Sequence, residues 1–91
     1  MKTRAHVIVE GRVQGVFFRS RTKREADIIG ARGWILNRSD GRVEAVFEGE
    51  EANVKSMVEF CKQGPPGAIV VKIEVNWGEH TGEFGKFESR Y

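Results

Sequence analysis

Apolar and polar residues alternate from Arg4 to Glu10, with Ala5, Val7 and Val9 on one face and His6, Ile8 and Glu10 on the other. A period of two marks a half-buried strand. From Arg19 to about Ala31 the period lengthens. Thr22, Ala26 and Ile29 share one face at helical spacing, charges cover the rest, and Gly30 and Gly33 read as stop signals. Trp34 to Asn37 is a short apolar strand, Ser39-Asp40-Gly41 a tight hairpin turn, and Arg42 to Glu48 the partner strand with Val43, Ala45 and Phe47 to one side. From Glu50 to Lys62, Val54, Met57, Val58 and Cys61 fall at i, i+3, i+4 and i+7, the stripe of an amphipathic helix. Gly64-Pro65-Pro66-Gly67 ends it, because proline has no N–H to donate and clashes with the preceding turn.

Ile69 to Trp77 gives the strongest strand signal: Val71, Ile73, Val75 and Trp77 alternate with Lys72, Glu74 and Asn76. A glycine-punctuated stretch, Gly78 to Gly85, follows. Phe84 and Phe87 are three apart, which breaks alternation and predicts a bulge or bend, with Phe87, Ser89 and Tyr91 in a last strand or edge. The order strand, helix, strand, strand, helix, strand predicts an α+β, ferredoxin-like split βαβ sandwich (βαββαβ), an antiparallel sheet with two helices on one face. The other face is expected to be at least partly open to water, which suits the clean alternation. This architecture hosts RNA binders, metal chaperones, regulatory modules and enzymes, so the fold alone names no activity.

The 91 residues make one domain, 1–91, with no linker and no low-complexity segment. No apolar run approaches the ~20 residues that span a bilayer. The N-terminus runs straight into strand-like alternation with no signal peptide, so a cytoplasmic location and no membrane partner are expected. The single cysteine, Cys61, rules out an internal disulfide and lies on the apolar stripe of its helix, where it reads as a buried structural thiol. Net charge is +2 but uneven: residues 1–42 carry ten Lys/Arg against four Asp/Glu, and residues 43–91 carry five against nine. A positive first half draws small anions.

The chemistry concentrates in Gly11-Arg12-Val13-Gln14-Gly15-Val16-Phe17-Phe18-Arg19, between the first strand and the first helix. Backbone N–H groups of such a turn and of the first helical turn lack intrahelical partners and can hold an anion. Glycine lets the backbone approach the anion, and an arginine adds a planar fork for two phosphate oxygens. Gly-x-x-x-Gly between a strand and a helix also occurs as a plain turn, so this stretch taken alone leaves both readings open.

Further stretches narrow the choice. The Gly11–Arg19 run matches glycine–x–Val–Gln–Gly–Val–x–Phe–Arg; Thr22, Ala26 and Gly30 lead to Gly33-Trp34-Ile35-Leu36-Asn37 and Asp40-Gly41-Arg42-Val43-Glu44. Gly64-Pro65-Pro66-Gly67-Ala68, Gly82-Glu83-Phe84 and Phe87 complete a pattern that spans nearly the whole chain. In these residues the sequence resembles the acylphosphatase family. The resemblance implies hydrolysis of the carboxyl–phosphate bond of acyl phosphates, giving carboxylate and inorganic phosphate, without metal or organic cofactor. It implies that Arg19 binds the phosphoryl group, that Asn37 positions the attacking water, and that Gln14, Gly15, Val16, Phe17 and Phe18 form the backbone cradle. Ala31-Arg32 departs from the larger apolar residue many relatives carry before Gly33-Trp34, away from any catalytic position. The chain resembles the small independent enzymes more than the versions fused to carbamoyl-transfer maturation proteins, and a monomer acting on a small-molecule acyl phosphate is expected.

These residue types suit that reaction. A carboxylate is a good leaving group, so positioning and charge stabilisation carry most of the catalysis. Asn37 is neutral and cannot act as a general base, but its amide offers both an acceptor and a donor to a water. A substrate phosphate oxygen is then the expected proton acceptor. Other phosphate chemistries fit worse. No cysteine precedes Arg19 in the loop, no Lys-Ser/Thr pair follows Gly15, and His6 and His80 lack partners at metal-ligand spacing. The competing reading is a non-catalytic ferredoxin-like module for RNA or a small anion. RNA readers of this fold stack bases on aromatics of central strands, whereas Phe17 and Phe18 fall in the loop and Phe47 on the apolar face, so no nucleic-acid partner is expected. A protein that keeps the enzyme signature but serves a partner is a third reading.

Overall fold

The computed structural model describes residues 1–91, with elements β1 (Lys2–Arg12), α1 (Phe18–Ile29), β2 (Arg32–Asn37), β3 (Val43–Glu50), α2 (Glu51–Gln63), β4 (Ile69–Gly78) and β5 (Phe87–Arg90). The strands form one sheet in the order β4-β1-β3-β2-β5. Two βαβ units, β1-α1-β2 and β3-α2-β4, interleave so that each crosses over a strand of the other, the ferredoxin-like α+β arrangement that the element order predicts.

The apolar faces meet where the periodicity puts them. Ala5, Val7 and Val9 of β1, Val43, Ala45 and Phe47 of β3 and Ile35 of β2 pack against Phe18 and Ala26 of α1 and Val54, Met57, Val58 and Cys61 of α2. Fully burying a side chain such as Val54 or Met57 is worth about 1.5–3 kcal/mol, which holds α2 to the sheet without a side-chain cap. Phe47 stacks on Phe87 with ring centroids 5.4 Å apart, locking β5 to the core. Cys61 is fully buried, and burial pushes its thiol up to about 12, consistent with a structural role.

Four details differ from the sequence reading. First, Gly33 does not stop α1: the helix ends at Gly30, whose N–H bonds the carbonyl of Ala26, and Gly33 lies inside β2, opposite Phe47 and Phe87. A Cβ at Gly33 would sit 1.9 Å from the Val46 carbonyl oxygen, so glycine is there to let two backbones approach. Second, the register of β1 against β4 shifts between Glu10 and Gly11. The bulge turns Val70 rather than Val71 toward the core, and Val71 is exposed. Third, this irregularity in β4 has no signal in the periodicity, and it comes in addition to the bend that the spacing of Phe84 and Phe87 predicts, which falls at Gly85 and Lys86. Trp77, also on that edge strand, is half exposed.

The fourth difference matters most for the site. Four strands pair antiparallel, whereas β5 runs parallel to β2 on the far edge. The chain leaves β4 at one edge and reaches the other by crossing near Glu48 on the face away from the helices. There the N–H groups of Thr81 and Gly82 and the hydroxyl of Thr81 donate to the Glu48 carboxylate at 3.0, 3.1 and 2.8 Å. Parallel pairing brings the end of β5 to the same end of the sheet as Asn37.

Candidate active site

The loop between β1 and α1 is built around two left-handed residues. Gly15 has φ +74°, and Phe17, the residue preceding α1, has φ 61° and ψ 26°. Gly15 takes this conformation at no steric cost, whereas for phenylalanine it costs about 1–2 kcal/mol. These reversals, with the unsupported first turn of α1, leave every backbone N–H from Gly15 to Ser20 without a backbone carbonyl to donate to. No acidic side chain stands in the first turn of α1 to occupy that positive end.

Gln14 fixes where this loop sits. Its Nε2 donates to the carbonyls of Arg38 and Arg42 at 2.8 and 3.0 Å, tying the loop to the hairpin that follows Asn37. Asp40 braces that hairpin. Its carboxylate accepts from Arg42 Nη2 at 2.7 Å, the Arg42 N–H at 3.0 Å and Arg38 Nε at 3.0 Å. The Arg42 side chain first, then the Arg42 N–H and Arg38, hold the Asp40 carboxyl well below the usual carboxylate range, so the turn stays ionised and closed.

A cleft of about 270 Å³ opens beside the loop, lined by Val13, Gly15, Phe17, Phe18, Arg19, Ser20, Asn37, Ser89 and Tyr91. Of the residues singled out from sequence, Gly15, Phe17, Phe18, Arg19 and Asn37 line it. Gln14 turns its side chain to the hairpin, and Val16 packs against the core. Asn37 sits at the end of β2, and its amide Oδ1 is buried with no hydrogen-bond partner in the protein. Arg19 is half-buried in the first turn of α1, and its Nη1 donates to the Arg90 carbonyl at 2.8 Å. Its guanidinium carbon also lies 4.4 Å from the centre of the Tyr91 ring. One edge of the guanidinium is thus anchored, and a planar fork fixed this way is pre-organised for an anion.

Sequence reasoning missed the contribution of the last residues. In the sequence Ser89 and Tyr91 carry only a strand signal, and no local signal announces that β5 lies next to β2. A family model, Acylphosphatase, matches residues 5–89. The chain belongs to the acylphosphatase family. It is 52% identical to an acylphosphatase of Pelotomaculum thermopropionicum over 96% of this chain and 95% of that protein. It is 54% identical to one from Pyrobaculum islandicum over 92% and 90%. Among solved structures, the acylphosphatase of Bacillus subtilis superposes with a TM-score of 0.92 at 41% identity, covering 100% of both chains. No helix of this family member is long and apolar enough to cross a membrane.

Proposed function

We infer that the cleft between the 13–20 loop and the ends of β2 and β5 is the catalytic centre of this acylphosphatase, with Arg19 and Asn37 as its catalytic residues. The reaction is hydrolysis of acyl phosphates to a carboxylate and inorganic phosphate, the activity of the family. The observation that carries the site is the convergence of two unsatisfied groups. The loop that carries the free N–H groups of Gly15 to Ser20 borders one cleft, which the anchored Arg19 and Asn37, whose buried Oδ1 has no partner in the protein, also line. Buried polar atoms are nearly always paired, and an orphan acceptor in a cleft is a place for a donor from outside the protein.

In this reading the phosphoryl oxygens lie against the loop N–H groups and the free side of the Arg19 fork. These groups neutralise charge that is already present and spreads as the bond to the carboxylate lengthens. Asn37 accepts from the attacking water and so fixes its approach. No Asp, Glu or His side chain lines the cleft, so a phosphoryl oxygen of the substrate takes the water's proton. The substrate is a small acyl phosphate. The RNA-binding alternative is disfavoured by the central strands: β1 carries no aromatic residue, and the only one on β3, Phe47, is buried in the core.

The test is hydrolysis of benzoyl phosphate with EDTA present, comparing the wild type with Asn37→Ala. Turnover by the wild type that falls on the order of 10²–10³-fold in the variant, at similar inhibition by inorganic phosphate, supports the assignment. Equal turnover in both would remove Asn37 from the mechanism.

A further inference from the structure

We propose that Ser89 is a second residue holding the attacking water, its hydroxyl donating to the same water from which Asn37 accepts. This deepens the assignment of the cleft as the catalytic centre and rests on it.

A serine is out of place at this point of the last strand. On β5, Phe87, Ser89 and Tyr91 alternate onto one face, and Phe87 is buried in the core. β5 runs parallel to β2 with Gly33 opposite Phe87 and Ile35 opposite Ser89. Opposed residues share a face, so Ser89 points to the helix side of the sheet, beside the fully buried Ile35. That face asks for an apolar side chain, and a hydroxyl contributes little to its packing. Ser89 is half-buried and lines the cleft. Of the two cleft serines, Ser20 spends its Oγ on the Phe17 carbonyl at 3.2 Å, whereas Ser89 makes no hydrogen bond within the protein.

The register sets its distance from Asn37. Asn37 lies two residues beyond Ile35, on the same face of β2. Diagonal neighbours of this kind have Cβ atoms about 7–8 Å apart. One water, at about 2.8 Å from each side-chain oxygen, spans that gap. The bonds of the water then close around the serine. One hydrogen goes to Asn37 Oδ1 and the other to the phosphoryl oxygen that takes it. One lone pair forms the new bond to phosphorus as the bond from phosphorus to the acyl oxygen breaks, and the carboxylate leaves with that electron pair. The second lone pair is left for a donor, which the Ser89 hydroxyl supplies. In a loose transition state little bonding to the water has formed, so this donor fixes the water's orientation at small cost to its nucleophilicity.

Wild type, Ser89→Ala, Ser89→Val and Ser89→Thr are compared by turnover of benzoyl phosphate, inhibition by inorganic phosphate and urea unfolding. Turnover (kcat) is expected to fall about tenfold in Ser89→Ala and Ser89→Val and to stay within about threefold in Ser89→Thr, while KM and phosphate inhibition change less than about twofold. Ser89→Val suits a core-facing strand position, so its urea midpoint should hold or rise as its kcat falls. Added to Asn37→Ala, Ser89→Ala should cost less than about twofold more, because the water is already released. A kcat within about twofold of wild type in both Ser89→Ala and Ser89→Val would overturn the contact. A fall in kcat with a lower urea midpoint in both would overturn it too, by making Ser89 a packing residue of β5. Failure of the wild type to turn over, or an Asn37→Ala variant as fast as the wild type, would instead overturn the assignment of the cleft, and the contact with it.

Discussion

Arg19 and Arg90 are seventy-one residues apart, yet the Arg19 guanidinium donates from Nη1 to the Arg90 carbonyl at 2.8 Å. The bond exists because β5 runs parallel to β2 and delivers the chain end to the first turn of α1. Tyr91 then lies with its ring 4.4 Å from the guanidinium carbon. A long, flexible side chain is thereby held in one orientation before any phosphate arrives.

This arrangement separates charge from geometry at position 19. Arg19→Lys keeps the charge, but a lysine cannot serve the Arg90 carbonyl and two phosphate oxygens in one plane. Turnover of benzoyl phosphate should fall on the order of 10³-fold, with weaker inhibition by inorganic phosphate. Near-wild-type kinetics for the lysine variant would mean that charge alone suffices.

The Tyr91 ring provides a milder test of the same orientation. It is fully exposed and contributes little to the core, so Tyr91→Ala should leave the melting temperature within a degree or two. Loss of its cation–π contact, worth about 0.5–1 kcal/mol, should lower kcat/KM about two- to fivefold. Steady-state kinetics beside a thermal melt would separate the two effects, and a large drop in melting temperature would show that Tyr91 holds β5 rather than Arg19.

Gln14 acts through its side chain, not only its backbone. Gln14→Leu would leave the carbonyls of Arg38 and Arg42 without this donor in a partly buried setting. The expected cost is about 1–3 kcal/mol of stability. Because these bonds also hold the loop against the strand bearing Asn37, KM should rise as well. Urea unfolding and kinetics on the same preparation check both, and an unchanged denaturation midpoint would dismiss Gln14 as a brace.

The parts of this molecule that were legible in the sequence are those set by near neighbours along the chain. Ala5, Val7 and Val9, or Val54, Met57, Val58 and Cys61, declare their faces by spacing alone, and all seven are buried. Gly15 and Arg19 could be picked out because a strand, a glycine turn and a helix start are adjacent in sequence. Alternation alone misplaces Val71, because a single bulged residue opposite Gly11 inverts every face before it. Tyr91 and the side-chain role of Gln14 depend on contacts across more than twenty residues, which no local period encodes. Glu48 is the sharpest case. A glutamate on an alternating strand reads as a solvent-facing residue, and only the crossing of Thr81 and Gly82 buries it.

That buried carboxylate predicts how the fold responds to acid. Glu48 is 1% exposed, and burial alone would raise its pKa. Arg4 Nη1 at 2.8 Å, the Thr81 N–H and hydroxyl and the Gly82 N–H outweigh that and hold it at about 2, against an ordinary 4.5. A carboxyl with a depressed folded-state pKa stabilises the native protein above its unfolded pKa and loses that contribution as pH falls through the folded value. Glu48 should therefore contribute roughly 3 kcal/mol at neutral pH, declining from about pH 4.5 and lost near pH 2. Glu48→Gln keeps the shape, cannot ionise and leaves Arg4 with Glu83 as its remaining acidic partner, at 3.2 Å. It should unfold more readily at pH 7 and show a flatter loss of stability between pH 4.5 and 2. Urea midpoints measured across that range for both proteins decide the matter: parallel curves would place the acid sensitivity in other carboxylates. Because the Glu48 network lies at the opposite end of β3 from Val43, the strand neighbour of Asn37, acetyl phosphate turnover at pH 7 should change far less than stability.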